Sequence, residues 1–306
     1  MTKRGLSLLC ALLLVSQPLR AWAEELVAGG QVIGVEIASD GVLVAGMAEL
    51  ETAEGSYSPA ERAGLKAGDR IVAIGDTEVK SAADFLAAVA ARKGAPVPVS
   101  VVRCGKLQQI LVQPVQADNG QWLLGMWLRD CISGIGTLTF VDPATGLYGA
   151  LGHGVSDENG GGTIPIRTGH IAGASVSAVQ PGTPGKPGEL TGGGSGAALG
   201  AVERNAEEGI FGHMSQSVGT RFVETGEMSV GAATILSTVR GTEVEEFTVE
   251  INRVYRESDG ACRAMLTVTD PTLIALTGGI VQGMSGSPIL QEGKLVGAVT
   301  HVFVST

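Results

Sequence analysis

The sequence predicts a mainly β protein of two modules, a smaller α+β one followed by a larger all-β one. Three observations predict it. Short apolar runs of strand length recur along the chain between glycine, proline and Asp-Pro turns, and 46 of the 306 residues are glycine. Only Ser81 to Arg92 carries the spacing of an amphipathic helix. Aromatic residues make up 4% of the chain, so valine, alanine and leucine must supply the core, which suits small-stranded sheets better than a helical bundle. At roughly 150 residues per domain, the length accommodates two.

Residues 1–23 read as an export signal. Lys3 and Arg4 form a positive start, Leu6 to Val15 an apolar core, and Ala21-Trp22-Ala23 a small-residue cleavage site before Glu24. The apolar core is shorter than the roughly 20 residues of a comfortable membrane span, with an uncleaved N-terminal anchor as the other reading. Removing the segment takes away Lys3, Arg4 and Arg20 and moves the net charge from −10 to −13. An acidic chain lacks the basic surface that phosphate binding needs, so no nucleic acid partner is expected. Cys104, Cys131 and Cys262 are too widely spaced for a zinc pattern, and no metal or small-molecule cofactor is expected. The three are read as small buried apolar residues, with one disulfide left open.

The first module is placed at 27–115. Gln31 to Ile37 and Gly41 to Met47 read as two strands, followed by a polar loop between Glu49 and Ala60. Ser81 is a plausible N-cap with Asp84 three residues on, and Phe85, Leu86 and Val89 share one apolar helix face. Strands Val97–Arg103 and Gln108–Val112 flank a turn at Cys104-Gly105-Lys106. The run A-G-L-K-A-G-D-R-I-V-A-I-G-D from Ala63 to Asp76, with the helix after it, resembles the PDZ domains attached to exported bacterial proteases. That resemblance implies a peptide-binding groove: a carboxylate-binding loop at Gly30-Gln31-Val32-Ile33-Gly34, a pairing strand at Val35-Glu36-Ile37, and Ser81–Arg92 as the facing wall. A ligand would add as a β-strand, its terminal carboxylate held by backbone amides. A PDZ fold with an occluded groove is the other reading.

Gln116 to Gly120 is a polar joint, and the second module fills 121–306. Trp122 to Asp130, Gly134 to Asp142 and Leu147 to Gly154 alternate short strands with turns. Gln180 to Gly196, rich in glycine and proline, is read as a loop. Later strands are expected at Ala232–Arg240, Glu245–Arg253 and Cys262–Thr269.

Gly283-Met284-Ser285-Gly286-Ser287-Pro288 has the G-x-S-G-x-P form that surrounds the nucleophile of chymotrypsin-like serine proteases. Glycines let the backbone turn tightly, and the amides of Gly283 and Ser285 would form an oxyanion hole. Ser285 rather than Ser287 is the expected nucleophile, because Ser287 stands where that pattern has glycine. A serine hydroxyl needs a base within hydrogen-bond reach, itself oriented by an acid. His153, at the end of an apolar strand and between two glycines, fits the base better than His170, His213 or His301. No aspartate occurs between Asp157 and Asp259, so an aspartate between His153 and Ser285 is Asp157, Asp259 or Asp270. Asp270 also suits a turn or helix N-cap before Pro271–Leu276, and a His–Ser dyad oriented by a backbone carbonyl remains open.

The second module resembles the SpoIVB-type (stage IV sporulation protein B) serine peptidases. The matching stretches are Gly136-Thr-Leu-Thr-Phe, Tyr148 to Asp157, Gly209-Ile-Phe-Gly, Val268 to Pro271, Thr277 to Ile289, and Gly297 to Val304. The resemblance implies a PDZ domain followed by a chymotrypsin-like double β-barrel, with His153 as base, Ser285 as nucleophile and Asp270 as acid. It further implies export into the space between two membranes and limited cleavage of a membrane-associated regulator, which activates a late sporulation sigma factor. Self-processing near the N-terminus is also implied. Family chains continue past Val296–Val304 with a closing segment, whereas this sequence stops at Thr306. A non-catalytic PDZ adaptor with a protease-like binding domain is the alternative.

Overall fold

The computed structural model describes residues 25–51, 55–156, 163–215, 219, 221–256 and 262–302. The expected export signal, Asp157 and Asp259 lie outside them. The chain opens with β1 (Glu25–Ala28) and the sixteen-residue β2 (Val32–Met47). An α+β unit follows: α1 (Pro59–Ala63), β3 (Arg70–Ile74), β4 (Thr77–Glu78), α2 (Ala82–Ala91), β5 (Val97–Arg103) and β6 (Lys106–Val112). The small ladder of β7 (Val115–Gln116) and β8 (Trp122–Leu123) leads into β9 (Met126–Val141), again sixteen residues. Then come β10 (Leu147–Ala150), β11 (Thr168–Gln180), β12 (Glu189–Ala201), β13 (Arg204–Ala206), β14 (Gly209–His213) and β15 (Phe222–Glu224). A second sheet holds β16 (Gly231–Ser237), β17 (Glu245–Arg256), β18 (Cys262–Val268), β19 (Pro288–Gln291) and β20 (Lys294–Ala298), with α3 (Pro271–Thr277) between β18 and β19.

Local chemistry sets the helices. Ser58 and Ser81 accept hydrogen bonds from the amides of Glu61 and Asp84, capping α1 and α2, and Pro59 opens α1 where no N–H is needed. Phe85 and Val89 bury against Val42, Val44, Ile71, Ile74, Val97, Val99 and Val101, forming the core of the α+β unit. Arg103 fastens that unit with two 2.6 Å bonds to the buried Asp69. The two curled sheets share another core: Val32, Val176 and Leu190 of the first pack with Ile235, Phe247, Ile251 and Ile289 of the second and with Val281 and Met284 of the segment before β19.

The expected peptide groove is corrected by β2. Val32–Ala38 pairs with Thr137–Cys131 of β9 along one edge and, over Ile33–Ala38, with Gly173–Thr168 of β11 along the other. Gln31, Val32, Ile33, Gly34, Val35 and Ile37 therefore belong to the wall of a curled sheet, with no edge there for a peptide. Apolar alternation reads alike for a groove strand and a wall strand, because it marks a face and not a partner. The boundary at residue 27 shifts for the same reason. β1 and the first half of β2 pair with β9, β11 and β15, and the α+β unit is inserted between them and the rest of the first sheet.

Two smaller expectations also change. Gln180–Gly196 is not all loop, since β12 begins at Glu189 and pairs along β11. Its glycines serve close approach: a Cβ on Gly192 would lie 2.2 Å from the carbonyl oxygen of Ser175. The cysteines are not buried, with Cys104 and Cys262 exposed and Cys131 half-buried.

Candidate active site

Ser285 sits on the tight segment between α3 and β19. Gly283 and Gly286 both take φ of +97°, a left-handed conformation that glycine adopts without strain. A side chain at Gly286 would also collide with backbone, its Cβ 2.1 Å from the Thr137 carbonyl oxygen and 2.5 Å from the Leu151 nitrogen. Met284, fully buried, pins the loop into the shared core.

The first sheet grips this loop from the other side. Thr137 of β9 donates its amide to the Ser285 carbonyl (2.9 Å) and its hydroxyl to the Gly283 carbonyl (3.0 Å). The Thr139 hydroxyl donates to the Gly286 carbonyl (2.7 Å). Within the loop, Gly286 donates to Val299 (2.7 Å) and Ser287 to Met284 (3.0 Å). The amides of Gly283 and Ser285 remain, and neither donates to any acceptor among the described residues. Two unspent amides beside one hydroxyl are what stabilisation of an oxyanion requires.

His153 follows β10 and reaches the same cleft, a hollow of about 640 Å³ that also contains Ser285, Gly283, Gln282 and His301. Its Nδ1 lies 3.0 Å from the Gly154 carbonyl oxygen, so a proton on Nδ1 is held by backbone and Nε2 is left to accept. Asn205 fixes the adjoining segment: its Nδ2 donates to the carbonyls of Val155 (2.7 Å) and Ile164 (2.9 Å), and its Oδ1 accepts from the Val155 amide (2.8 Å). The Ser285 hydroxyl donates to the Thr300 carbonyl (3.2 Å) rather than to His153. Such pairs often align only when substrate is bound.

Asp270 does not join them. Its Oδ1 accepts from the amides of Thr272 (2.9 Å) and Leu273 (3.0 Å), and its Oδ2 faces the Thr248 amide at 3.5 Å. The carboxylate is the N-cap of α3, followed by Pro271 at the first helical position, and it does not line the cleft. The expected triad acid is thus corrected to a helix cap, and the orienting group beside His153 is the Gly154 carbonyl. His170 and His213 stand on β11 and β14 outside the cleft, His213 paired with Glu203 at 3.0 Å. His301 lies inside it, its ring centroid 5.6 Å from that of His153. Thr137, Thr139 and Asn205 escaped the sequence reading. Thr137 and Thr139 sit two apart on one strand, inside the stretch Gly136-Thr-Leu-Thr-Phe that carries the family resemblance, and neither signal gave them a role.

The sequence model of the family described as SpoIVB peptidase S55 matches residues 120–306. The chain belongs to the SpoIVB peptidase S55 family. A PDZ-domain model matches residues 53–103, within the α+β unit. No individual curated protein matches the chain. The protein is therefore a PDZ-containing peptidase, mainly β, of a sporulation peptidase family.

The PDZ sheet is completed from outside its own match. Met126–Arg129, in the stretch matched by the peptidase family, pairs with Met47–Leu43 of β2, giving the order β9-β2-β3-β5-β6. α2 runs alongside this half of β9. Its first amide, Ala82, donates to Asp130 Oδ1 (2.6 Å), and Gly94 beyond its far end meets the Trp122 ring. No strand among the described residues pairs with the other edge of Met126–Arg129. Leu86 of α2 and Trp127 of β9 are both more than half exposed there, at 51% and 67%.

Proposed function

We infer that the chain is an exported serine endopeptidase that performs limited, signalling proteolysis of a membrane-associated regulator during sporulation, leading to late sigma-factor activation. Its PDZ domain recruits or regulates the substrate. The observation that carries the serine chemistry is the pair of unspent amides at Gly283 and Ser285 beside a hydroxyl that shares its cleft with His153.

In this reading Ser285 Oγ turns from Thr300 to His153 and attacks the scissile carbonyl. His153 Nε2 takes the hydroxyl proton and passes it to the departing amine as the peptide C–N bond breaks. The Gly283 and Ser285 amides hold the oxyanion. Water, deprotonated by His153, then attacks the acyl-enzyme and restores the serine. The export signal at 1–23 and self-processing near the N-terminus belong to the same proposal. Among the described residues no helix is long and apolar enough to cross a membrane.

Activity-based labelling tests this. A fluorophosphonate should label the purified chain at Ser285, and both Ser285→Ala and His153→Ala should abolish labelling and cleavage. Labelling that survives Ser285→Ala rejects the assignment. Full biological activity of Ser285→Ala would instead favour a PDZ adaptor that holds its partner without cutting it.

A further inference from the structure

The cleft of Ser285 and His153 has an aliphatic wall, Val35 and Ile37 of β2 with Ile132 and Ile135 of β9, and one carboxylate. Histidines aside, Glu207 is the only charge-bearing side chain among the described residues that line it. Glu207 and Glu208 fill the two-residue turn between β13 and β14, closed by the pairing of Ala206 with Gly209. Glycine, asparagine and aspartate suit the backbone of such a turn, and glutamate brings it no comparable advantage. The needs of the turn therefore do not account for Glu207. Its neighbour Glu208 does not line the cleft.

This turn is locked to the catalytic base. His153 Nδ1 lies 3.0 Å from the Gly154 carbonyl oxygen, and the Gly154 amide donates to the Glu207 carbonyl at 3.2 Å, so a single residue joins the base to the turn. The two segments approach too closely for a side chain between them: a Cβ on Gly154 would lie 2.5 Å from the Ala206 carbonyl oxygen. Asn205, just before the turn, bonds to both backbone groups of Val155. The exposed Glu207 carboxylate, by contrast, has no hydrogen bond and no ion pair among the described residues. Arg204, the nearest cation in sequence, lies over the Phe211 ring instead. A carboxylate is thus held at the cleft by its backbone while its charge is left unmatched.

We propose that Glu207 selects substrates with a lysine or arginine shortly after the cut. His153 passes its proton to the departing amine, so the segment that runs on from it faces the leaving half of the substrate. The Glu207 turn is one residue and one hydrogen bond further along, which places the cation within about three residues of the scissile bond. Lysine and arginine carry their charge on an apolar stem, and the aliphatic wall covers the stem while the charge reaches Glu207. The net charge of −10 has the same sign and draws such substrates in from a distance. An acidic residue at that place meets an unmatched carboxylate and is rejected. This inference rests on the serine-peptidase reading and gives it a substrate class.

The test uses three pools of peptides about 12 residues long, long enough to extend past the cleft on both sides. Each is randomised over uncharged residues and carries one lysine, one glutamine or one glutamate at a random position. Cut positions and rates are read by mass spectrometry on the purified chain, with fluorophosphonate labelling of Ser285 in parallel. Lysine within about three residues after the cut should raise kcat/KM about fivefold over glutamine, the scale of an accessible ion pair, and glutamate there should lower it. Glu207→Gln should bring the lysine peptides down to the glutamine rate, and Glu207→Lys should turn the preference towards glutamate. Glu208→Gln, in the same turn, should keep the wild-type ratios, and thermal unfolding checks that each variant is folded. A lysine-to-glutamate ratio unchanged in Glu207→Lys, or a basic preference only before the cut, overturns the proposal. An equal fall on all three pools in Glu207→Gln would make Glu207 a positioning residue for His153 and also rejects it. A labelled serine that cuts none of the pools counts against the substrate class and leaves the nucleophile standing. Loss of both labelling and cleavage in the wild-type chain would take down the peptidase reading itself.

Discussion

Thr137 holds Ser285 across the boundary between the two sheets, amide to carbonyl at 2.9 Å, while its hydroxyl takes the Gly283 carbonyl two residues earlier. The strand that carries Thr137 begins in the PDZ sheet, so the nucleophile loop is fastened to a strand that both modules share.

Thr137→Val keeps the shape of this buried side chain and removes only its hydroxyl. The Gly283 carbonyl then loses its partner, a cost of about 1–3 kcal/mol when the group is buried. The fluorophosphonate labelling rate should fall roughly tenfold, since about 1.4 kcal/mol is one decade, with a modest drop in melting temperature. Labelling at the wild-type rate would show that the hydroxyl does not position the loop.

Asp270→Ala removes the cap of α3 and should cost about 1 kcal/mol, whereas Asp270→Asn retains an accepting oxygen and should unfold within about 0.5 kcal/mol of wild type. With its role confined to the cap, Asp270→Asn should also keep its cleavage rate. A large fall in kcat at unchanged stability would return Asp270 to the catalytic machinery.

Asn205→Ala leaves the Ile164 carbonyl and the Val155 amide without their partner and the Val155 carbonyl with only the Ile164 amide, two residues from His153. kcat should fall at least tenfold with KM little changed, because the base loses its setting while the loop of Ser285 keeps its own bonds to Thr137 and Thr139. Asn205→Asp keeps the acceptor for Val155 and loses both donated bonds, so recovery in that variant would argue against the clamp.

Arg103→Ala strands the Asp69 carboxylate, 1% exposed, without its ion-pair partner. Breaking such a pair costs about 3–5 kcal/mol. Denaturant unfolding followed by Trp122 fluorescence should report the loss in the PDZ unit.

The Arg221 guanidinium, with help from Thr234, holds the Glu246 carboxyl below its ordinary range. A lowered folded-state value stabilises above the unfolded one, and the contribution disappears as pH falls towards the folded value. Both partners are over 40% exposed, so the effect is small and salt-sensitive. Arg221→Ala should lower the melting temperature slightly at neutral pH, and the difference from wild type should shrink and vanish as pH falls below about 4.5.

Local signals were readable wherever they concern neighbours in sequence. Ser81 caps α2 through Asp84, Cys104-Gly105 turns its hairpin with positive φ, and Ser285 lies between Gly283 and Gly286, both at a φ of +97° that side chains rarely adopt. His153 and Ser285 were both legible from glycine spacing, and the structure brings them into one cleft. Partnerships across the chain were not. Val32–Ile37 alternates as a groove strand would, yet both its edges are taken by segments about 100 and 135 residues away, and only loop closure in three dimensions reveals it. Asp270 illustrates the same limit: Asp-Pro before an apolar run is a helix start by local rules, and a shared position with an acid in relatives cannot say where the carboxylate turns.

Because β1 and the first half of β2 precede the PDZ unit and pair with strands that follow it, the two modules are not beads on a string. A fragment beginning at Gln121 would keep Ser285 and His153 but lack two strands of the wall behind them, and would not be a smaller enzyme. Excising the PDZ unit, by contrast, calls for a bridge between Ala38 and Cys131, which face each other across the ladder. A short hairpin turn grafted there would let the peptidase be studied without its recruiter, a separation that trimming from either end cannot achieve.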